Sequence, residues 1–163
     1  MAESWIEEDK KKVERAALSG NVNASFELAQ RLMTGRDFER DPFAAVTECK
    51  FAARCGSVGA MNMLGYCYAL GIGTYVDGAR AYDLFRKAAR KGSLVAWYNL
   101  HVCYRDGIGV EPSQVKADYW LLRAAKAGYR KAQDMCALRV LRAARTPEEA
   151  ALAKRYLSLR KGR

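Results

Sequence analysis

The chain has few of the residues that enzymes and metal sites use most. Its 163 residues include a single histidine, His101, and five cysteines. No two cysteines form a C-x-x-C pair, so a zinc site is not expected. Catalysis needs a nucleophile, an acid–base group and a group that orients them, and no such set stands out. We therefore predict a non-enzymatic protein without a cofactor or a metal ion.

Long apolar runs are also missing. No stretch approaches the roughly 20 apolar residues of a membrane-spanning helix. The start, MAESWIEEDKKK, has mixed charge and no apolar segment, unlike a secretory signal. An odd number of cysteines fits no paired disulfide framework. We therefore expect reduced, mostly structural cysteines and a cytoplasmic location, and a nuclear location is also compatible with the sequence.

What the sequence does contain is a repeat with a period of 36 residues. The pattern AAxxG recurs as AALSG, AARCG, AARKG and AAKAG, each beginning 36 residues after the one before. Gly20, Gly56, Gly92 and Gly128 consequently share one register. Self-similarity at a fixed period of this size is typical of a solenoid, in which like repeats stack on their neighbours.

Each repeat is predicted to form two amphipathic helices. In SVGAMNMLGYCYALG, apolar residues follow the i, i+3, i+4, i+7 spacing of a helix with one buried face. Ser57 is placed to cap the start of this helix. A second helix is predicted from about Gly78 to Lys91, with its own buried face. The buried positions predicted for the pair are Ala60, Met63, Leu64, Cys67, Tyr68, Ala81, Leu84, Phe85, Ala88 and Ala89.

We predict one repeat domain over residues 1–163, with nine helices. The last helix spans about Pro147 to Leu159, with Thr146 as its cap. The predicted parts are a capping helix at 3–19, repeats at 20–55, 56–91 and 92–127, and a degenerate repeat or cap at 128–163.

The two central repeats resemble the Sel1-like repeat family. The family pattern is A-x-x-x-L-G-x-x-Y-x-x-G-x-G-V-x-x-D-x-x-x-A, followed by a second helix that ends in A-A-x-x-G. The residues that match in the better repeat are Ala60, Leu64, Gly65, Tyr68, Gly71, Gly73, Asp77, Ala81, Ala88, Ala89 and Gly92. The resemblance implies an all-α, right-handed α-solenoid related to tetratricopeptide repeats. It also implies a role as an adaptor or scaffold, as in most family members.

Departures from the pattern carry expectations of their own. His101 stands where the pattern has glycine on the helix-packing side, so we expect a partly buried structural role for it. Ser113 stands where the pattern has aspartate. The first repeat is degenerate, because Ala29 replaces the glycine and its connector RDFERDP lacks the Gly-x-Gly.

The resemblance also suggests where a partner binds, because the first helix of each repeat lines the concave face of tetratricopeptide-like stacks. Aromatic, basic and asparagine side chains at those positions suit an extended peptide. The predicted partner-binding residues are Asn62, Tyr66, Tyr98, Val102, Arg105, Asp106, Lys131, Asp134 and Arg142, with Leu138 beside them and Asn23, Phe26 and Gln30 in the first repeat. The alternative interpretation is that these are ordinary exposed residues.

The net charge of +10 is uneven along the chain. Residues 101–163 hold 14 basic and 6 acidic residues, a net +8. Such asymmetry suggests an acidic partner, nucleic acid or an anionic surface, or else a solvated cap. The favoured partner is a protein or peptide bound in the concave groove. The alternative is a nucleic-acid-binding helical repeat with a basic patch at Arg139, Arg142, Arg145, Lys154 and Arg155.

Overall fold

The computed structural model of the protein describes residues 2–143, 146–148, 151 and 154. Over these residues it contains eight α-helices and no strand, which confirms the predicted all-α, helical-repeat class. The predicted ninth helix lies largely outside the described residues. The eight helices are α1 (Ala2–Leu18), α2 (Val22–Thr34), α3 (Pro42–Arg54), α4 (Val58–Leu70), α5 (Gly78–Arg90), α6 (Leu94–Asp106), α7 (Gln114–Lys126) and α8 (Arg130–Ala143).

The helices fall into two compact units. The amino-terminal unit comprises Met1–Ser93 and Ile108–Glu111, and so holds α1 to α5. The carboxyl-terminal unit comprises Leu94–Gly107 and Pro112–Arg163, and holds α6 to α8. Within each unit every helix packs against the next one along the chain. The single domain and its repeat boundaries stay a prediction.

The AAxxG pattern is the end of a helix. The Ser57 N–H donates to the Ala52 carbonyl and the Gly56 N–H to the Ala53 carbonyl, both at 3.0 Å, with Gly56 at φ +94°. These two bonds make a Schellman motif, which requires a left-handed residue and hence favours glycine. The outer bond recurs from Asn21 to Ala16, from Ser93 to Ala88 and from Tyr129 to Ala124. The repeated glycine therefore specifies a backbone conformation.

Side chains cap the starts of several helices, at Ser57 as predicted. The Asp41 carboxylate accepts from the N–H groups of Phe43 and Ala44 at 3.0 Å. The Ser57 hydroxyl accepts from the Ala60 N–H at 3.3 Å. Ser113 replaces the aspartate of the family pattern but still caps α7, because its hydroxyl accepts from the Lys116 N–H at 3.4 Å. The substitution therefore keeps the capping role.

The first connector keeps the conformation of the later ones although it lacks the second glycine. Asp37 has φ +61°, against +63° at Gly73 and +68° at Gly109. A Cβ on Gly73 would lie 2.1 Å from the Pro42 carbonyl oxygen, so glycine is required there for close approach. The same hydrogen bond closes each connector, from Asp41 to Leu32, from Asp77 to Tyr68 and from Ser113 to Tyr104.

Small residues let the paired helices approach and large ones fill the space between them. A Cβ on Gly65 would lie 2.7 Å from Cε1 of Phe85, so α4 and α5 are in close contact at this glycine. Met63 and Leu84 are only half-buried, contrary to prediction, and Met61 is buried instead. Met61 is buried because α4 packs against α3 as well as α5, so its buried arc is wider than one stripe, whereas Leu84 lines an open groove.

Candidate protein-binding surfaces

In the amino-terminal unit the predicted binding residues Asn62 and Tyr66 lie on one side of α4, and Leu70 extends the row. Asn62, Tyr66 and Leu70 follow one another at spacings of four, while Leu64 and Tyr68 lie on the opposite side. Tyr66 and Leu70 are 53% and 54% exposed. Asn62 is half-buried, and its Nδ2 donates to Oγ of Ser93 at 2.9 Å. We call Asn62, Tyr66 and Leu70 the α4 surface.

The predicted residues of α2 divide into two kinds. Asn23 and Gln30 are exposed. Phe26 is half-buried, and a Cβ on Gly59 would lie 2.5 Å from its ring, so α4 approaches Phe26 closely. Phe26 therefore packs against α4 at Gly59, and its binding role stays a prediction.

In the carboxyl-terminal unit the predicted residues of α6 are already engaged with neighbours. Tyr98 is half-buried, and its ring centroid lies 5.4 Å from that of Tyr129 and 5.9 Å from that of His101. Nε and Nη2 of Arg105 each donate to the Asp106 carboxylate at 2.6 Å. The bond from Arg105 lowers the pKa of Asp106, so this exposed pair has no net charge near neutral pH.

The remaining predicted residues are placed along α6 and α8. Val102 and Asp134 are half-buried, whereas Lys131, Leu138 and Arg142 are exposed. Of the predicted basic patch, Lys154 is exposed, and Arg145 and Arg155 lie outside the described residues. Arg139 donates to the carboxylate of Asp118 and lowers its pKa, so its charge is partly balanced. The binding roles of all these residues stay predictions.

His101 is fully buried, deeper than the partial burial predicted for it. Its Nδ1–H donates to the Ala117 carbonyl at 3.0 Å, and its Nε2 has no hydrogen-bond partner among the described residues. Burial lowers the pKa of His101, with a further contribution from Arg105. The imidazole is therefore neutral near pH 7 and packs as part of the core.

Three cysteines are also core residues. Cys49, Cys67 and Cys103 are buried free thiols, Cys136 is half-buried and Cys55 is exposed. Burial raises the pKa of Cys49 and of Cys103 to about 12, so both stay protonated and unreactive at neutral pH. Among the described residues no three His, Cys, Asp or Glu side chains cluster closely enough to hold a metal ion. In the same part of the chain, every helix is too short or too polar to cross a bilayer.

A groove on the other side of α4 was not foreseen from the sequence. It runs between α3 and α5 and has a volume of about 370 Å³. We call it the α3–α5 groove. Its floor is Met61, Leu64 and Tyr68, and its walls are Lys50, Ala53 and Arg54 of α3 and Arg80, Leu84 and Lys87 of α5. The four basic residues come from two repeats, and the sequence does not reveal that they face one space.

The two walls of the groove differ in how their charges are balanced. On α5, Arg80 lies 3.2 Å from the Asp77 carboxylate and Lys87 lies 2.7 Å from that of Asp83. The Lys87 bond lowers the pKa of Asp83. On α3, Lys50 and Arg54 are exposed, one turn apart, and neither forms an ion pair within the described residues. The α3 wall therefore carries the uncompensated positive charge.

The corresponding positions of the carboxyl-terminal unit hold a compact aromatic cluster. The Arg123 guanidinium lies 4.4 Å from the ring centroid of Trp97 and 5.3 Å from that of Trp120. Trp97, Trp120 and Arg123 stand 36 residues after Met61, Leu84 and Lys87. Cation–π contact of this kind stabilises such a cluster.

Comparison with known proteins places the chain in a family. The Sel1 repeat profile matches residues 22–47, 58–93 and 95–129. The chain therefore belongs to the Sel1 repeat family, as its sequence suggested. Proteins of this family are generally protein–protein interaction scaffolds and are typically non-enzymatic. No curated protein matches this chain significantly.

Two solved structures are similar to this chain. The crystal structure of a Sel1 repeat protein from Oxalobacter formigenes is 35% identical, with a TM-score of 0.66 over 78% of this chain and 96% of that one. A protective antigen of uropathogenic Escherichia coli strains, which displays an SLR fold, is 29% identical, with a TM-score of 0.74. That match covers 88% of this chain and 31% of the antigen. Neither the family nor these structures favour nucleic-acid binding.

Proposed function

We propose that the protein is a non-enzymatic adaptor that binds a peptide or partner domain on the face of its first helices. The observation that carries this proposal is the α4 surface. Tyr66 and Leu70 leave more than half of their side chains in water, one turn apart, on a helix whose other side is buried. Neighbouring exposed apolar side chains of this kind suit contact with a partner. We propose a cytoplasmic setting for this role.

The chemistry of the surface favours a peptide with apolar anchors. Tyrosine and arginine are the residue types most often found as interface hot spots. Asn62 brings an amide beside Tyr66, and amides suit the hydrogen-bonding groups of an extended backbone. On α6, Asp106 already occupies the guanidinium of Arg105. A partner carboxylate has to compete with Asp106, so we do not expect Arg105 to select acidic ligands strongly.

The test begins with a partner captured from the native host by crosslinking and identified by mass spectrometry. Truncation of Tyr66 to alanine should then weaken its affinity about 30-fold, since hot-spot truncation costs roughly 2 kcal/mol. The melting temperature should change little because Tyr66 is 53% exposed. Arg105→Ala should act in the same direction. Tyr98→Ala is a poorer probe, since Tyr98 packs against Tyr129 and its loss also lowers stability.

The matched control is Tyr119→Ala, because Tyr119 is 57% exposed but belongs to the second helix α7. It should leave the affinity unchanged. If the Tyr66 and Arg105 variants bound the partner as tightly as the unaltered protein does, the proposal would be contradicted. A loss of affinity caused only by Tyr119→Ala would also contradict it.

A further inference from the structure

The α3–α5 groove is suited to a single large side chain with charged neighbours. Its volume of about 370 Å³ lies at the small end of the range for ligand pockets. Leu64 and Met61, both nearly buried, and the half-buried Leu84 give it an apolar interior. A space of this size takes one bulky side chain more readily than a whole helix or a folded domain.

The rim of the groove favours negative charge. Lys50 and Arg54 stand one turn apart on α3 without an ion pair in the described part of the chain, and Lys87 reaches the groove from α5. Asp83 balances only the α5 side, at 2.7 Å from Lys87. Electrostatic complementarity therefore points to an acidic partner segment. Its carboxylates would meet the two cations of α3.

The carboxyl-terminal unit indicates what fills a groove of this design. There the positions of Met61, Leu84 and Lys87 are taken by Trp97, Trp120 and Arg123, with the guanidinium stacked on both rings. In the amino-terminal unit the cation is present at this position, and the two tryptophan rings are replaced by Met61 and Leu84. An aromatic side chain from outside would restore the arrangement, with the ammonium of Lys87 near its ring.

From this juxtaposition we propose that the α3–α5 groove binds a short acidic peptide that inserts one aromatic side chain. The ring lies over Leu64 and between Met61 and Leu84. The flanking carboxylates pair with Lys50 and Arg54. The groove lies on the opposite side of α4 from the α4 surface, so the two sites are independent and both can be occupied at once.

The probe is a fluorescein-labelled peptide with a central tryptophan flanked on both sides by glutamates, titrated by fluorescence anisotropy. Three comparison peptides change one property each: alanine for tryptophan, glutamine for every glutamate, and lysine for every glutamate. We expect the first peptide to bind and the alanine and glutamine peptides to bind clearly more weakly. The lysine peptide should not bind. Equal affinity for the glutamate and glutamine peptides would overturn the role of the cations.

Charge reversal tests the α3 wall. Arg54→Glu should weaken the acidic peptide at least about tenfold, as loss of a charge-assisted hydrogen bond does. The matched control is Arg90→Glu, because Arg90 is exposed at the same repeat position on α5, outside the groove. The Arg90 variant should bind like the unaltered protein. Equal loss in both variants would mean a diffuse charge effect and would contradict a defined site.

Filling the groove from within is the second test. The triple variant Met61→Trp, Leu84→Trp and Lys87→Arg copies the residues of the carboxyl-terminal unit, and it should abolish peptide binding. Circular dichroism shows whether this variant folds. If it does not fold, the Arg54→Glu result still tests the site.

Tyr66→Ala should leave peptide binding unchanged, which separates this site from the proposed adaptor surface. Binding of oleate without binding of the peptide would assign the groove to an anionic acyl chain and overturn the proposal.

Discussion

The hairpins α4–α5 and α6–α7 belong to different units. Both have the two-helix architecture of the repeat, but the large side chain between the helices comes from the second helix in one hairpin and from the first helix in the other. In the first, Gly65 leaves space that the ring of Phe85 fills at close contact. In the second, His101 is fully buried at the position of Gly65, and the smaller Leu121 is fully buried at the position of Phe85. The large side chain has changed helices. Cores tolerate such exchanges when total volume is kept.

The same hairpins differ on their outer side. Met61 and Leu84 leave a groove in the amino-terminal unit, whereas Trp97 and Trp120 form a cluster with Arg123 in the other unit. The features that set the backbone are nevertheless shared, because a side chain caps each second helix, Asp77 in one and Ser113 in the other, and a left-handed glycine follows each of these helices. The repeat therefore specifies where the helices run, while the side chains between and outside them vary from repeat to repeat.

The largest effect is expected when one core leucine is truncated in each hairpin. Leu64 and Leu100 occupy the same repeat position, and large-to-small core changes cost roughly 2–5 kcal/mol. Leu64 lines the open groove, while Leu100 is only 1% exposed. Because an enclosed cavity relaxes less, Leu100→Ala should lie near the upper end and Leu64→Ala near the lower end. Urea unfolding measures both, and a larger cost for Leu64→Ala would contradict the contrast.

Exchange of the packing pair is the next test. Gly65→His should destabilise by about 1–3 kcal/mol, because its side chain meets the ring of Phe85. Adding Phe85→Leu should recover part of that loss, since the double variant copies the His101 and Leu121 pair. Phe85→Leu alone completes the double-mutant cycle. Additive costs in the double variant would mean that the two positions do not compensate for each other.

The backbone of the repeats was largely predictable from sequence. The 36-residue register and the cap at Ser57 depend on local residue types, and a helix start or end is set by a few neighbouring residues. Asp37 escaped notice, because a left-handed aspartate has no strong sequence signal. Its connector is regular, although the sequence suggested degeneracy.

The side-chain environments were much less predictable. Burial of Met61 depends on α3, and engagement of Arg105 depends on the rotamer that brings it to Asp106. The α3–α5 groove escaped prediction because its basic residues lie in two repeats. A single repeat gives the direction of a side chain relative to its own helix. It does not give the sizes of the side chains opposite, which decide whether a groove stays open.

A smaller effect is expected from pH, and only where the core holds a histidine. The groups that face His101 are Arg105 and Asp106 of α6, Asp118 of α7 and Arg139 of α8. Burial lowers the pKa of His101 below 6.5, so the unfolded chain binds more protons as the pH falls through that value. Stability should therefore fall with decreasing pH below about 6.5, by at most about 1.4 kcal/mol per pH unit.

The measurement is urea unfolding of the unaltered protein and of His101→Leu at about pH 7.5 and about pH 5, a range around the ordinary histidine pKa and above that of the carboxylates. The difference in unfolding free energy between the two proteins should shift in favour of His101→Leu at the lower pH. The equivalent position in the amino-terminal unit is Gly65, which has no proton to bind. A constant difference across this range would show that His101 titrates as it does in the unfolded chain.

The smallest effect is expected at the connector where the repeats differ. Asp37 holds a left-handed conformation that glycine adopts without strain, at φ +61°. Asp37→Gly relieves that strain but loses weak ion pairs with Arg31 at 3.8 Å and Arg36 at 3.6 Å, and glycine also makes the unfolded chain more flexible. The net change in unfolding free energy should be within about 1 kcal/mol of zero. Asp37→Ala is the control, because it keeps the strain and loses the pairs, and it should be the less stable variant in thermal unfolding. If Asp37→Gly proved the less stable of the two, the flexibility of glycine in the unfolded chain would outweigh the strain of the left-handed conformation, which would contradict this explanation.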